Sequence, residues 1–361
     1  MGREKLKLHN YIGRSVLTLI VSSLLTIGLW WFPLYQFSLD YAVSLLLTIL
    51  TAYVIIETNN AFQLIRVRSY MISSIWLFGM ETMGMFHTFH PAIFATFCMA
   101  VSYYLLFNAY QQPLSVVNIF HTFLMLSLGC LAYAPLLLTI PFFLWHLLTF
   151  MRALSLRSFS AALVGFILPF WLWLGWILWK EDCWSFIEWK NGLLLTIKGC
   201  AFWNVMHNTE SAMFLTEGGY GDMPLKDLIS DTFALILLSF LTALTSIYYI
   251  FNSYDDKIRT RMIFYIYVFQ SIFFFGFAVL SALTFFLSGG KAGEDGFACL
   301  PLLLLNTAPL AAHYSTFRTT WTSLIIFSLL FILFTGLAML SLWPESVDFM
   351  INFVKTSPFI G

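Results

Sequence analysis

The sequence predicts an all-α membrane protein, a polytopic bundle of eleven transmembrane helices. Of its 361 residues, 60% are hydrophobic and only 10% are charged, which is too apolar for a soluble fold of this size. Apolar runs of roughly twenty residues, the length that crosses a bilayer, recur along the chain. Lipid is therefore the main solvent, and residues 1–361 are predicted to form a single integral membrane domain.

The first apolar run begins at Ser15, after a basic tail, and ends near Pro33. It is too long for the core of a signal peptide and lacks a small-residue cleavage site, so it is predicted to be a retained first span. The later runs are separated by Pro, Gly, Asn or charged residues. They are predicted at residues 41–57, 70–86, 91–107, 114–131, 135–151, 160–179, 232–251, 262–287, 297–313 and 320–343. Gly79, Glu81 and Gly84 interrupt the third span.

The arginines determine the predicted orientation. When alternate loops are assigned to opposite sides, all nine Arg and three of the nine Lys fall on the side of the N-terminus. Cytoplasmic loops are enriched in Lys and Arg, so the N-terminus is predicted to be cytoplasmic. With an odd number of spans, the C-terminus is periplasmic. The net charge is zero, and no global field points to nucleic acid as a partner.

One loop is much longer than the others. Residues 180–231 contain four Lys and eight acids and are predicted to be external. A stretch with Trp at both ends suits a helix that lies in the membrane interface. This loop is a candidate substrate-facing element, and the alternative is a solvated cap. Cys183 and Cys200 both belong to it, and an oxidising compartment permits a disulfide between them.

A dense polar stretch, ETNNAFQLIRVR, lies at the predicted inner end of the second span. Its two arginines, Arg66 and Arg68, can bind a phosphate through paired donors, with the amides Asn59 and Asn60 beside them. Arg152 and Arg157 of another inner loop are further candidates for the same phosphate or lipid headgroup. The alternative is that these arginines only set the topology and that the amides cap helices.

Two carboxylates are candidate catalytic residues. Glu81 is the one acid that the predicted spans place inside the bilayer, where ionisable groups usually face a protein interior or a cavity. The alternative is a structural role in which it holds the third span to its neighbours. Asp40 lies in the first external loop, a position that resembles the base or metal ligand of glycosyltransferases that use polyprenyl-phosphate sugars. That loop is shorter here and has no second acid beside Asp40.

His87 and His90 are the nearest approach to a metal pattern. With Met80 and Met83 they follow one helical face at i, i+3, i+7 and i+10, and such a stripe could hold a soft ion such as copper. The alternative is an amphipathic helix end with interfacial His and packing Met. The seven His do not gather at one predicted face, which excludes a membrane di-iron enzyme. No metal or cofactor is therefore predicted.

Two regions resemble an uncharacterised family of multi-pass inner-membrane proteins of Bacteroidota. They are residues 108–173, which begin NAYQQPLSVVNIF and include the span GFILPFWLW, and residues 297–321, which read FACLPLLLLNTAPLAAHYSTFRTTW. The resemblance implies the inner membrane of a diderm bacterium. It implies no activity, cofactor or site residue.

The leading functional hypothesis is a protein that handles a lipid-linked or amphiphilic cell-envelope precursor, in the manner of a glycosyltransferase or a flippase. The expected partners are membrane lipids, a polyprenyl-phosphate-linked substrate and another membrane protein. Two alternatives stay open at this point. One is a solute transporter, which needs polar groups that converge near the bilayer midplane. The other is a non-catalytic membrane subunit of an envelope complex.

Overall fold

A computed structural model describes residues 16–31, 39–65, 69–83, 86, 89–112, 115–180, 190, 225–287, 297–317 and 336. The described residues are helical, with no β-strand among them, and this confirms the all-α prediction. Ten α-helices are described, α1 to α10 in chain order. They are Val16–Trp31, Leu39–Phe62, Met71–Glu81, Pro91–Asn108, Val116–Ala132, Ile140–Thr149, Leu156–Lys180, Leu225–Asn252, Ile258–Leu287 and Leu300–Phe317.

Five of these helices are long and apolar enough to cross a membrane, as expected of a membrane-embedded helical protein. Their apolar segments are Leu39–Phe62, Pro91–Asn108, Leu156–Trp176, Thr232–Asn252 and Ile258–Leu280. There are three shorter apolar segments among the described residues: Thr18–Ile27 precedes the first of the five, and Val116–Ala132 and Ala134–Thr149 lie between the second and the third. The count of eleven spans and the sides of the two termini stay predictions.

Predicted spans one to ten each coincide with helix, and the differences have local causes. The third span is shorter than predicted because α3 ends at Glu81. Its eleven residues cover only about 16 Å, roughly half of a bilayer core. The sixth begins with a 3₁₀ turn, Ala134–Thr139, that places Pro135 in the first turn. The eighth begins at Leu225, inside the predicted loop 180–231. The predicted eleventh span and most of that loop lie outside the described residues.

Helix α10 is the centre of the bundle. It packs against α3, α4, α8 and α9, and every residue from Leu300 to His313 is buried. A helix that is apolar on all sides is stable only when it is surrounded in this way. Gly79 of α3 lies directly against the Leu304 side chain, so the two helices approach closely. The outer helices pack in pairs, α1 on α3, α2 on α4 and α7 on α5.

All the described arginines lie at one end of the bundle, which we call the arginine end. There α2, α4, α6, α8 and α10 finish and α3, α5, α7 and α9 begin. Contacts join these helix ends: the Gln111 N–H donates to the Met151 carbonyl at 2.8 Å, and the Ser315 hydroxyl lies 3.2 Å from Met71 Sδ. The described arginines are Arg152, Arg157, Arg259 and Arg261.

Candidate functional site

Arg259 is the best-positioned cation of the arginine end. It lies in the first turn of α9, and its side chain is exposed. Its guanidinium carbon lies 5.0 Å from the ring centroid of Phe62, at the end of α2, and 5.9 Å from that of Tyr110, just after α4. Two aromatic faces attract a guanidinium by its charge and hold its plane. Arg259 was not predicted as a site residue, because its segment and those of Phe62 and Tyr110 are far apart in the chain.

Asn59 holds the loop that carries Arg66 and Arg68. Its Nδ2 donates to the Ser69 carbonyl at 2.9 Å, and its Oδ1 accepts from the Ile65 N–H at 3.3 Å. Both functional ends of this buried amide are therefore engaged on either side of the predicted phosphate-binding arginines. Asn60, its neighbour, is exposed. Arg66 and Arg68 themselves lie outside the described residues.

Among the described residues, three that are not glycine have a left-handed backbone conformation, and all three follow helices that finish at the arginine end. They are Gln63, Gln111 and Arg152, with φ of 49°, 56° and 50°. A left-handed residue commonly ends a helix, but the position usually belongs to Gly or Asn because a Cβ is unfavourable there. Residues in such conformations persist only where the surrounding structure holds them, and they cluster at functional sites.

Arg152 and Arg157 flank the start of α7, and both are exposed. Ser155 and Ser158 cap this helix reciprocally: the Ser155 N–H donates to Ser158 Oγ at 2.6 Å, and the Ser158 N–H donates to Ser155 Oγ at 3.2 Å. The pairing satisfies donors that a helix start leaves without intrahelical partners. It fixes the chain between the two arginines at the same end of the bundle as Arg259.

A buried pair of ionisable side chains lies behind the exposed arginines. His313 Nε2, near the end of α10, is 2.9 Å from Asp256 Oδ2 in the α8–α9 connection, and both side chains are almost fully buried. The His313 ring packs against Tyr249 and Phe264. The pairing of His313 with Asp256 was not predicted, because the two residues lie far apart in the sequence and no local pattern joins them.

Below the arginine end, a small cavity opens among α2, α3, α4, α9 and α10. Thr58, Tyr103 and Tyr267 line it together with apolar side chains, and it offers about the space that one water molecule needs. The Tyr103 hydroxyl donates to Asn306 Oδ1 at 2.5 Å, and Thr242 and Thr307 share a hydrogen bond of 2.8 Å. These polar contacts join the three helices α4, α8 and α10, but the cavity is too small for a lipid or a solute.

The two candidate catalytic carboxylates lie in different surroundings. Asp40 is exposed in the first turn of α2, where a negative charge stabilises a helix start. This turn is at the end of the bundle opposite the arginine end. Glu81 is only 1% exposed at the end of α3, beside the Thr26 side chain of α1. The structure brings neither acid to the described arginines.

His90 is used as a helix cap. It precedes Pro91 at the start of α4, and its Nδ1 accepts from the Ala92 N–H at 3.1 Å. Because α3 ends at Glu81, the Met and His stripe does not lie on one continuous helix. His87 lies outside the described residues, as do Cys183 and Cys200. Within the described part of the chain, no group of three or more potential metal ligands occurs.

Burial lowers the pKa of His90 from 6.5 to about 4, which keeps the ring neutral and lets Nδ1 accept. The unfolded chain then binds more protons than the folded one. The stability that the neutral His90 contributes is therefore fully present above about pH 6.5 and is lost as the pH falls toward 4. We expect His90→Asn, which keeps a capping side chain, to weaken the dependence of stability on pH over this range. Melting temperatures of both proteins between these pH values would measure it, and parallel profiles would contradict the assignment.

No protein-family profile, curated protein sequence or solved structure matches the chain. Membership of a Bacteroidota inner-membrane family therefore stays a prediction. The candidate site is defined by the arrangement of the arginine end alone.

Proposed function

We propose that the protein binds the phosphate-bearing headgroup of a lipid-linked or amphiphilic cell-envelope precursor at the arginine end. In this proposal the chain has eleven spans in the bacterial inner membrane, with the N-terminus and the arginine end cytoplasmic and the C-terminus periplasmic. A phosphate on a lipid anchor lies at the depth where helix ends meet the headgroups. This location matches the ends of the long apolar helices.

The position of Arg259 is the observation that carries the proposal. An exposed Arg held between two aromatic rings has lost much of its side-chain freedom before a ligand arrives, so less entropy is lost on binding. The planar guanidinium offers donors that match two phosphate oxygens at once. Within the described residues Arg259 forms no ion pair with an acid. Its charge is therefore open to an external anion.

The surroundings of Arg259 favour a lipid-attached phosphate over a soluble one. Arg152 and Arg157 add positive charge at the same end, and the loop anchored by Asn59 adds Arg66 and Arg68. The first turns of α7 expose the apolar side chains Leu156, Phe159 and Leu163. An acyl or prenyl tail can lie against these side chains while the headgroup meets the arginines.

A direct binding measurement tests the proposal. The full-length protein, in nanodiscs of zwitterionic lipid, is titrated with a fluorescent long-chain polyprenyl phosphate and with the corresponding alcohol. We expect preferential binding of the phosphate and an approximately tenfold weaker affinity in Arg259→Ala, the loss of one charge-assisted pair of hydrogen bonds.

Lys257→Ala is the matched control, because Lys257 is an exposed cation two residues from Arg259. A near-normal affinity of this variant would show that position, and not bulk charge, matters. Equal losses in the two variants, or equal binding of phosphate and alcohol, would refute the site.

A second test is made in cells. A deletion strain is expected to accumulate envelope lipids, and an Arg66→Ala/Arg68→Ala variant that folds is expected to fail to complement it.

The burial of the ionisable side chain of Glu81 favours a second candidate function, solute transport. Transporters place ionisable groups inside the bilayer to bind a coupling ion. Unchanged envelope lipids in the deletion strain, together with a defect in uptake or efflux, would favour this function over precursor handling.

A further inference from the structure

A seam of polar side chains joins α1 to α3 inside the apolar bundle. On α1, Ser22 and Thr26 are buried one turn apart, while Ile20, Leu24 and Ile27 are exposed on its other faces. On α3, Ser74 and Glu81 are buried seven residues apart, which places them on one face. The helix α1 therefore turns its hydroxyls inward and its apolar residues outward.

The two halves of the seam are in register. The Ser22 and Ser74 hydroxyl oxygens are 3.3 Å apart. Helices rise about 1.5 Å per residue. Measured from the Ser22–Ser74 contact, Thr26 therefore lies about 6 Å further along α1, and Glu81 lies about 10 Å further along α3. Helical side chains lean toward the N-terminus of their own helix, so the Glu81 carboxylate reaches back toward the level of Thr26. The Thr26 side chain does lie beside it.

The Glu81 carboxylate lacks a compensating charge within the described residues. Neither of its oxygens accepts a hydrogen bond of normal geometry there. A buried carboxylate without a cation or donors is too costly to stay ionised, and it becomes neutral by binding a proton.

The ionisable residues on the helices that pack against α3 do not provide a cation for Glu81. Helix α1 contains none. On α2 they are Asp40, Tyr41, Tyr53 and Glu57, all of which are anionic when charged. On α10 they are His313 and Tyr314 at the far, arginine end, where His313 pairs with Asp256.

We propose that Glu81 is a proton-binding site enclosed by α1, and that the protein exchanges this proton when α1 moves away from α3. This inference is independent of phosphate binding at the arginine end. It assigns a chemical role to the one deeply buried carboxylate of the α1–α3 seam, which the proposed headgroup site does not use.

The first test uses dicyclohexylcarbodiimide, an apolar reagent that adds to protonated carboxylic acids. Labelling of the full-length protein in native membranes is mapped by mass spectrometry between pH 6 and pH 9. We expect modification at Glu81, decreasing as the pH rises. We expect at least about tenfold less at the exposed Asp40 and Glu57, because an apolar reagent concentrates in the apolar interior and not at the water-exposed surface. Absence of labelling at Glu81 would overturn the proposal.

Glu81→Gln keeps the size of the side chain without its acid function. If Glu81 is neutral, this variant loses the label and melts within about 2 °C of the wild type. A large loss of stability would show instead that Glu81 pairs with a buried cation, which overturns the proposal. Protection of Glu81 by sodium ions at constant pH would assign the site to a metal cation and overturn the proton assignment.

The motion of α1 has its own test, because the Ser22 and Ser74 hydroxyls are close enough to replace by a disulfide. In a Ser22→Cys/Ser74→Cys variant, oxidation locks the seam. We expect labelling of Glu81 to slow several-fold on oxidation and to recover on reduction, whereas the wild type treated in the same way is unaffected. Equal rates in the locked and reduced forms would show that α1 does not control access.

Discussion

Replacing His313 by alanine is expected to destabilise the protein by about 3–5 kcal/mol, the usual cost of leaving a buried carboxylate, here Asp256, without its partner. The Asp256 carboxylate lies 2.9 Å from His313 Nε2, and the two side chains are only 3% and 6% exposed. The variant also removes a ring that packs on Tyr249 and Phe264. Equilibrium unfolding in mixed detergent micelles measures the change in free energy.

A double-mutant cycle separates the pair from these ring contacts. Asp256→Ala alone is expected to cost a similar amount, and the double variant much less than the sum, because no buried partner is then left alone. His121→Ala, which removes an exposed His from α5, is the control and should change stability by less than about 0.5 kcal/mol. Additive losses in the cycle would show that the two side chains do not stabilise each other.

Much of the fold was predictable because a helix in an apolar environment has a long run of apolar residues in its own sequence. The apolar runs located the helices within a few residues, and Pro91 and Pro135 marked helix starts. The end of α3 was only partly predictable. Gly79, Glu81 and Gly84 marked an interruption of the run 70–86. Apolar residues occur in helices and in turns alike, however, so hydropathy did not show that the helix stops at Glu81.

The sequence predicted that the arginines gather at one end of the bundle, but it did not predict which side chains contact one another there. Sequence placed the arginines together because charge distribution between loops follows membrane sidedness. It identified Asn59 as a candidate ligand, whereas the structure shows its amide engaged with Ile65 and Ser69. The position of Arg259 between Phe62 and Tyr110 depends on which helices are neighbours in the bundle. The spacing of apolar residues within one helix does not contain this information.

Gly165 is the residue whose substitution tests the packing of α7. A methyl group there would lie well inside contact distance of the Phe120 backbone carbonyl on α5. Close by, the Ser127 hydroxyl donates to the Phe166 carbonyl at 2.7 Å. Small residues allow membrane helices to approach this closely. Since a backbone cannot move aside as a flexible side chain does, Gly165→Ala is expected to destabilise the protein by about 2–3 kcal/mol.

Gly175→Ala provides the matched control, on the same helix and with the same change of side chain. Apart from the neighbouring backbone of its own helix, no atom of the described residues lies within 4 Å of the position that its Cβ would occupy. The only effect expected is therefore the better helix propensity of Ala, at most about 1 kcal/mol of stabilisation. Unfolding in mixed micelles compares the two variants. If Gly165→Ala were as stable as Gly175→Ala, α7 would not contact α5 at this crossing, and the tail-binding surface proposed beside Arg157 would lose its support.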